Sequence, residues 1–151
     1  SVITGILNLG EASAVPVIRA ALADGFKGEG PIVIDCPPGS GCPVLESVSA
    51  SDYCVLVAEP TAFGLHNLQM VAEMVKLLKK PCGIVINKME DPYEPLESFC
   101  RQSGIRVLCR IPYSETLAKL NAAAQIAYEH DESSRVLFDT LLQRIEAEVK
   151  L

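Results

Sequence analysis

The sequence predicts an α/β fold in which a parallel sheet is covered by helices on both faces. Three observations carry that expectation. Short apolar runs near 31–35, 53–58, 82–87 and 105–110 are bounded by turn residues, as strands buried on both faces require. The stretches between them place apolar side chains at helical spacing, and alternation of this kind builds right-handed βαβ units. Each run also ends in residues suited to a ligand rim: Asp35-Cys-Pro-Pro-Gly39, Glu59-Pro-Thr61, Asn87-Lys88 and Pro112-Tyr-Ser114. In open parallel sheets, ligands bind outside the carboxyl ends of the strands.

Taken in order, Val2 to Leu9 reads as an edge strand, weakened by Gly5 and Asn8. Glu11 to Asp24 reads as a helix with Ser13 as its cap, Val15, Ile18 and Leu22 on one stripe, and Gly25 as its stop. The strand at 31–34 leads into a Pro- and Gly-rich loop that neither helix nor strand can continue through. A short helix through Val44, Leu45 and Val48 precedes the strand at Tyr53–Ala58. Gly64 to Lys80 is the clearest helix, with Leu68, Val71, Val75 and Leu78 on one face. Lys76, Lys79 and Lys80 lie at its carboxyl end, where the helix dipole favours cations. Pro81 ends it, and the third strand closes on Asn87-Lys88. A helix from about Pro92 to Ser103 stops at Gly104, and a fourth strand follows. Two helices, about 114–129 and 133–149, complete a single layered domain over 1–151. In the last, Glu146 and Glu148 balance Arg144 and Lys150, so its polar face is not the basic face of a membrane-surface helix and it reads as a packing helix.

Composition narrows the function. A chain of 151 residues, 49% hydrophobic, is long enough to bury a core. Its formal net charge of −6 opposes a nucleic-acid surface, which needs clustered Lys and Arg. No apolar run reaches the length of a membrane span, and the six Cys with no secretory signal point to a reducing cytoplasm. Cys54, Cys82 and Cys109 lie in apolar runs, where a free thiol packs as a small hydrophobe. No C-x-x-C spacing supports a cluster within the chain.

At the strand ends, Asp35 has the chemistry of a magnesium ligand acting through water, against a plainer role of capping the turn after it. Gly39 and Gly41 let backbone N–H groups approach an anion with no Cβ in the way. Asn87 offers a donor and an acceptor to the edge of a base, or else serves as a turn residue. His66 and His130 have no partner acid or nucleophile nearby in the sequence.

Asp35-Cys-Pro-Pro-Gly39 after an Ile-Val-Ile strand resembles the switch II segment of the MinD/ParA group of P-loop ATPases. The resemblance extends through Ser51–Thr61, Gly64-Leu-His-Asn-Leu68 and Ile84-Val-Ile-Asn-Lys88 and covers essentially the whole chain. It is nearest to the branch with an inserted ferredoxin domain, which carries segments like Leu7-Asn-Leu-Gly-Glu11 and Cys42-Pro43. The resemblance implies a three-layer, Rossmann-like P-loop NTPase fold that binds ATP and Mg2+. Asp35 would hold magnesium and the attacking water, and Pro38 and Gly39 would sense the γ-phosphate. Asn87 and Lys88 would meet the base, with Pro112 and Tyr113 lining its pocket.

One family element is missing from these residues. Lys27-Gly-Glu-Gly30 precedes a strand and is followed by no Gly-Lys-Ser/Thr, whereas a phosphate loop follows a strand and opens a helix. The chain therefore resembles the carboxyl-terminal part of such an ATPase, with the first strand–loop–helix and any iron–sulfur segment lying outside it. Alone it is expected to be inactive and to self-associate through uncovered apolar surface. Two alternatives stand beside this. One is a non-catalytic interaction module using the sheet rim. The other is a GTPase remnant, since Asn87-Lys88-Met89-Glu90 approaches the guanine-reading Asn-Lys-x-Asp.

Overall fold

The computed structural model describes residues 1–149, so Lys150 lies outside the described residues. The chain forms two compact units. The first comprises Ser1–Cys54 with Met70–Pro81, and the second Val55–Gln69 with the chain from Cys82 on.

The second unit carries the sheet. Strands β1 (Cys54–Ala58), β2 (Cys82–Met89) and β3 (Arg106–Pro112) lie in the order β1-β2-β3. β2 and β3 run parallel, with Gly83 opposite Arg106 and Ile86 opposite Arg110. Parallel neighbours need a crossover, and helices α3 (Ala62–Leu77) and α4 (Glu94–Ser103) supply one each. The predicted α/β class with a parallel sheet is what the chain adopts. β2 is central, and Gly83 through Ile86 are buried on both faces of the sheet. Its Ile84 and Ile86, with Leu108 of β3, are 0% exposed. Burying each such side chain contributes about 1.5–3 kcal/mol.

Local chemistry sets the ends of these elements. In α4, Glu94 and Glu97 stand in the first turn and Arg101 in the last, complementing the dipole. Gly104 ends it in the left-handed conformation at φ 69°, as its glycine predicted. Leu96 and Cys100, four residues apart, are the buried face of α4. Helix α7 (Glu132–Val149) is capped by Asp131, whose Oδ2 accepts from Ser134 N at 2.8 Å and Ser133 Oγ at 2.6 Å. It packs on β3: Arg144 donates to the Leu108 carbonyl, and Arg106 pairs with Glu148. Its role as a packing helix is thereby met.

The first unit contains α1 (Val15–Gly25) and α2 (Cys42–Ala50), which pack together. A two-pronged bond from Arg19 to Glu46, at 2.7 and 3.0 Å, joins them. Ser13 does accept from a backbone N–H, that of Val15 at 3.3 Å, but the helix begins later than expected, with Pro16 in its first turn. Lys80 Nζ donates to the Ser51 carbonyl at 2.6 Å.

Two expectations fail. The described residues form three strands, and neither 2–9 nor 31–35 is among them. Both segments have strand-like sequences, but a strand exists only through hydrogen bonds to a neighbour, and no described residue pairs with either. Val33 is consequently 95% exposed. The helix expected at 114–129 is two, α5 (Glu115–Ala122) and α6 (Ala127–His130), separated where Ala124 adopts φ 54°. Residues 121–126 are all exposed, so no burial repays continuing the helix there.

Candidate functional site

In the second unit, all three strands end toward one rim. β1 closes on Glu59-Pro60-Thr61, where Thr61 Oγ1 accepts from Gly64 N at 2.9 Å and caps α3. Gly64 is required by space: a Cβ there would stand 2.2 Å from the Glu59 carbonyl oxygen. This close approach brings the start of α3 against the end of β1 and fixes where Glu59 projects.

β2 closes on Asn87 and Lys88. Lys88 takes a left-handed backbone, φ 55°, uncommon outside glycine and a mark of a constrained turn. Asn87 Oδ1 accepts from the Lys88 N–H at 3.0 Å and supports that turn. So the turn role weighed for Asn87 is present, with the left-handed residue next to it. Its amide nitrogen remains available as a donor. Across the rim, Lys88 Nζ meets Glu59 Oε1 at 2.6 Å. The Glu59 carboxylate beside it, and more weakly the Tyr113 phenol, hold the Lys88 ammonium protonated to higher pH than an ordinary lysine. The Tyr113 N–H donates to the Met89 carbonyl at 3.1 Å, tying the end of β3 to the end of β2.

Asn87, Lys88, Pro112 and Tyr113 are thus brought together as strand-end neighbours. An open cleft of about 340 Å³ lies at this rim, lined by Glu59, Pro60, Thr61, Lys88, Glu90, Asp91, Pro92 and Tyr93. Of the residues expected to bind a base, only Lys88 lines it. The contribution of Pro92 and Tyr93 was missed, although Asp-Pro-Tyr before a helical stretch is a turn signal that could have marked it. The cleft offers one ammonium, three carboxylates and a phenol. Such a lining can exchange hydrogen bonds with a polar ring edge, and it carries no nucleophile–base pair.

The remaining predicted residues belong to the first unit. Asp35 ends the extended segment, exposed, and its carboxylate makes no hydrogen bond or ion pair among the described residues. The turn-capping role weighed for it is therefore not the one it plays. Gly39 has φ 93°, and no atom lies within 4 Å of where a Cβ would be. That is an open, glycine-dependent bend four residues after Asp35 in the sequence. Pro38 precedes it, and Gly41 leads into α2. The donor set fits a hydrated magnesium ion and an anionic group: a hard, unpaired oxygen ligand and unobstructed backbone. Among the described residues, no group of three or more His, Cys, Asp or Glu is placed to hold a metal directly. No helix among them is long and apolar enough to cross a membrane. His66 and His130 take no part in either site.

No model of a known protein family matches the chain. It is similar to two uncharacterized proteins of Methanocaldococcus jannaschii. To one it is 29% identical over 87 residues, which is 57% of this chain and 32% of that protein. To the other it is 26% identical over 134 residues, 79% of this chain and 52% of that protein. The chain thus spans about a third and about half of the lengths of these relatives. Among solved structures it resembles the cell division ATPase MinD of Pyrococcus furiosus, with a TM-score of 0.67 and 22% identity. That match covers 89% of this chain and 57% of the MinD chain. At such identity the likeness is one of fold, and it shows that this chain shares the α/β architecture of that structure.

Proposed function

We propose that this chain is the carboxyl-terminal part of an ATP-binding and ATP-hydrolysing switch protein of the MinD/ParA type. The observation that carries this reading is an exposed Asp35 followed, four residues on, by the open, left-handed Gly39 that ends the Pro-Pro-Gly run. The MinD-like fold supports it. Asp35 would hold magnesium through water, and Pro38 and Gly39 would answer to the terminal phosphate. Asn87, Lys88, Pro112 and Tyr113 would serve the base. Magnesium would supply charge stabilisation at the phosphates, and this chain's own part is to position the ion's water shell and to move the loop.

One part of the reading rests on the sequence resemblance alone: a link to iron–sulfur or metallocentre chemistry through Leu7–Glu11 and Cys42-Pro43. A cytoplasmic setting rests instead on the reduced cysteines, and pairing of two copies on exposed apolar surface. The chain alone should bind nucleotide weakly and hydrolyse none, because the lysine and N–H cradle that grips a triphosphate does not occur in its sequence. Calorimetry giving a micromolar or tighter dissociation constant for Mg-ATP would contradict this.

The decisive experiment uses the complete protein. Asp35→Asn keeps size and removes charge. Thermal stability should change by about 0.5 kcal/mol or less. Single-turnover hydrolysis should fall by orders of magnitude, while ATP affinity falls much less. Near-normal turnover in the folded variant would end the assignment of Asp35.

A further inference from the structure

We propose that Tyr93 is the residue on which the nucleotide's base stacks, and that the cleft it lines takes a neutral ring bearing an amino group rather than a phosphate. This rests on the reading above that the rim serves a base, and it adds the residue and the ring chemistry. The cleft lies wholly within the second unit, at the end of β1 and in the turn after β2. It is open, about 340 Å³, and Pro60, Pro92 and Tyr93 give it apolar ring surface from both of those segments. Such surface suits the face of a base, because every base presents a π-face of its own.

The backbone holds Tyr93 in place before any ligand arrives. Tyr93 is extended, at φ −93° and ψ 99°, and stands immediately before Glu94, the first residue of α4. Its carbonyl accepts from Leu96 N at 2.9 Å and from Glu97 N at 3.1 Å. Leu96 is only 1% exposed, so this end of α4 is anchored in the core of the second unit. On the other side, Pro92 fixes its own φ and stiffens the turn leading in. The half-buried Tyr93 therefore needs little ordering when a base settles against it.

Charge decides which end of a nucleotide the cleft accepts. The ammonium that lines it, on Lys88, is already bound to Glu59 at 2.6 Å. Glu90 and Asp91 also line the cleft, and neither forms an ion pair among the described residues. A phosphate placed here would meet two uncompensated carboxylates and a lysine that has its partner, and the like charges would repel it. An ionised carboxylate only accepts hydrogen bonds, so the matching group is a neutral N–H donor such as the exocyclic amine of adenine. A ring with a carbonyl at that position, as in hypoxanthine, presents an acceptor to acceptors.

The test uses this chain and a nucleoside, since no phosphate contact enters the proposal. Adenosine is titrated against protein with isotope-labelled tyrosine rings, and binding is followed by NMR. The expected result is saturable, millimolar binding that shifts the Tyr93 ring signal. Tyr93→Leu keeps apolar bulk and removes the aromatic face, and it should weaken adenosine about tenfold or more. Tyr93→Phe keeps the face and should bind within about twofold of the unmodified chain. Inosine should bind about fivefold or more weakly than adenosine. Absence of adenosine binding, or equal affinity in a folded Tyr93→Leu, would overturn the stacking role. A Tyr93 ring signal left unshifted by adenosine would overturn it whether or not that variant folds. Inosine binding as tightly as adenosine, or inorganic phosphate shifting the same ring, would overturn the ring chemistry. The Asp35→Asn hydrolysis assay judges the ATPase reading separately, because it can fail while adenosine still binds at Tyr93.

Discussion

Residues 1–43 and the sheet of the second unit are built from similar apolar sequence with opposite outcomes. From Ser1 to Pro43 no residue is buried, and Leu9 is fully exposed. In β2, Gly83 through Ile86 are sealed on both faces. Ile32-Val33-Ile34 and Ile84-Val85-Ile86 are nearly the same tripeptide, yet Val33 is 95% exposed and Val85 2%. Apolar sequence creates a demand for burial, and neighbouring strands decide whether it is met. Ile84–Ile86 has β1 and β3 on either side. Ile32–Ile34 pairs with no described strand.

The largest effect should come from the buried side of this contrast. Leu108→Ala, at a fully buried position in β3, should cost about 3 kcal/mol through lost transfer energy and a cavity. Denaturant titration should show the midpoint falling sharply, or no folded baseline. A loss below about 1 kcal/mol would mean that the sheet is less well packed than its burial indicates.

Next comes Gly64→Ala. A methyl group 2.2 Å from the Glu59 carbonyl forces β1 and the start of α3 apart, at about 2 kcal/mol. An unchanged melting temperature would contradict that close approach. The Glu59–Lys88 contact gives a local readout: Lys88 should titrate closer to an ordinary lysine in the variant.

A smaller, pH-dependent effect belongs to Glu97, which accepts from Arg110 at 3.0 and 2.6 Å. The Arg110 guanidinium holds the Glu97 carboxyl below the ordinary glutamate range, with burial opposing. A lowered folded-state value means stability that is present above the unfolded value of about 4.3 and lost as pH falls through the folded one. Glu97→Gln should therefore lose no more than about 1 kcal/mol at pH 7, since Arg110 is partly solvated. As pH falls below the unfolded value and through the lowered folded one, the gap between variant and parent should close. A constant gap in melting temperature from pH 7 to pH 3 would exclude the ion pair as its source.

The smallest effect on stability should come from Val33→Asp, at about 0.5 kcal/mol or less for an exposed position. Its consequence should be in solution behaviour. If exposed apolar segments drive self-association, sedimentation should show weaker association in the variant. Stability falling as far as in Leu108→Ala would show that Val33 is buried in solution and would erase the contrast.

The helical content was legible because it is encoded locally. Gly104 and the stripe through Leu68 and Val75 announce a boundary and a face that the structure uses, whereas α3 stops at Leu77, with Lys79 left-handed at φ 54°, before Pro81 is reached. The rim was half legible. Asn87, Lys88 and Tyr113 could be placed at strand ends, because a parallel sheet gathers its carboxyl ends on one side. That Lys88 would adopt a left-handed turn and reach Glu59 could not be read, since it depends on how far Gly64 lets α3 approach β1. Pro92 and Tyr93 escaped notice for a similar reason, because they meet the cleft only through the turn after β2.

By itself, the sequence determined the class of fold, the order of its crossovers and the chemical character of each strand end. All of these follow from periodicity, turn residues and side-chain type within a few positions. Only the tertiary structure decided which apolar runs become strands and which residues share the cleft. It also decided that the helix expected over 114–129 breaks at Ala124. Pairing and burial are properties of two segments at once. Ile32-Val33-Ile34 contains everything a strand needs except its neighbour.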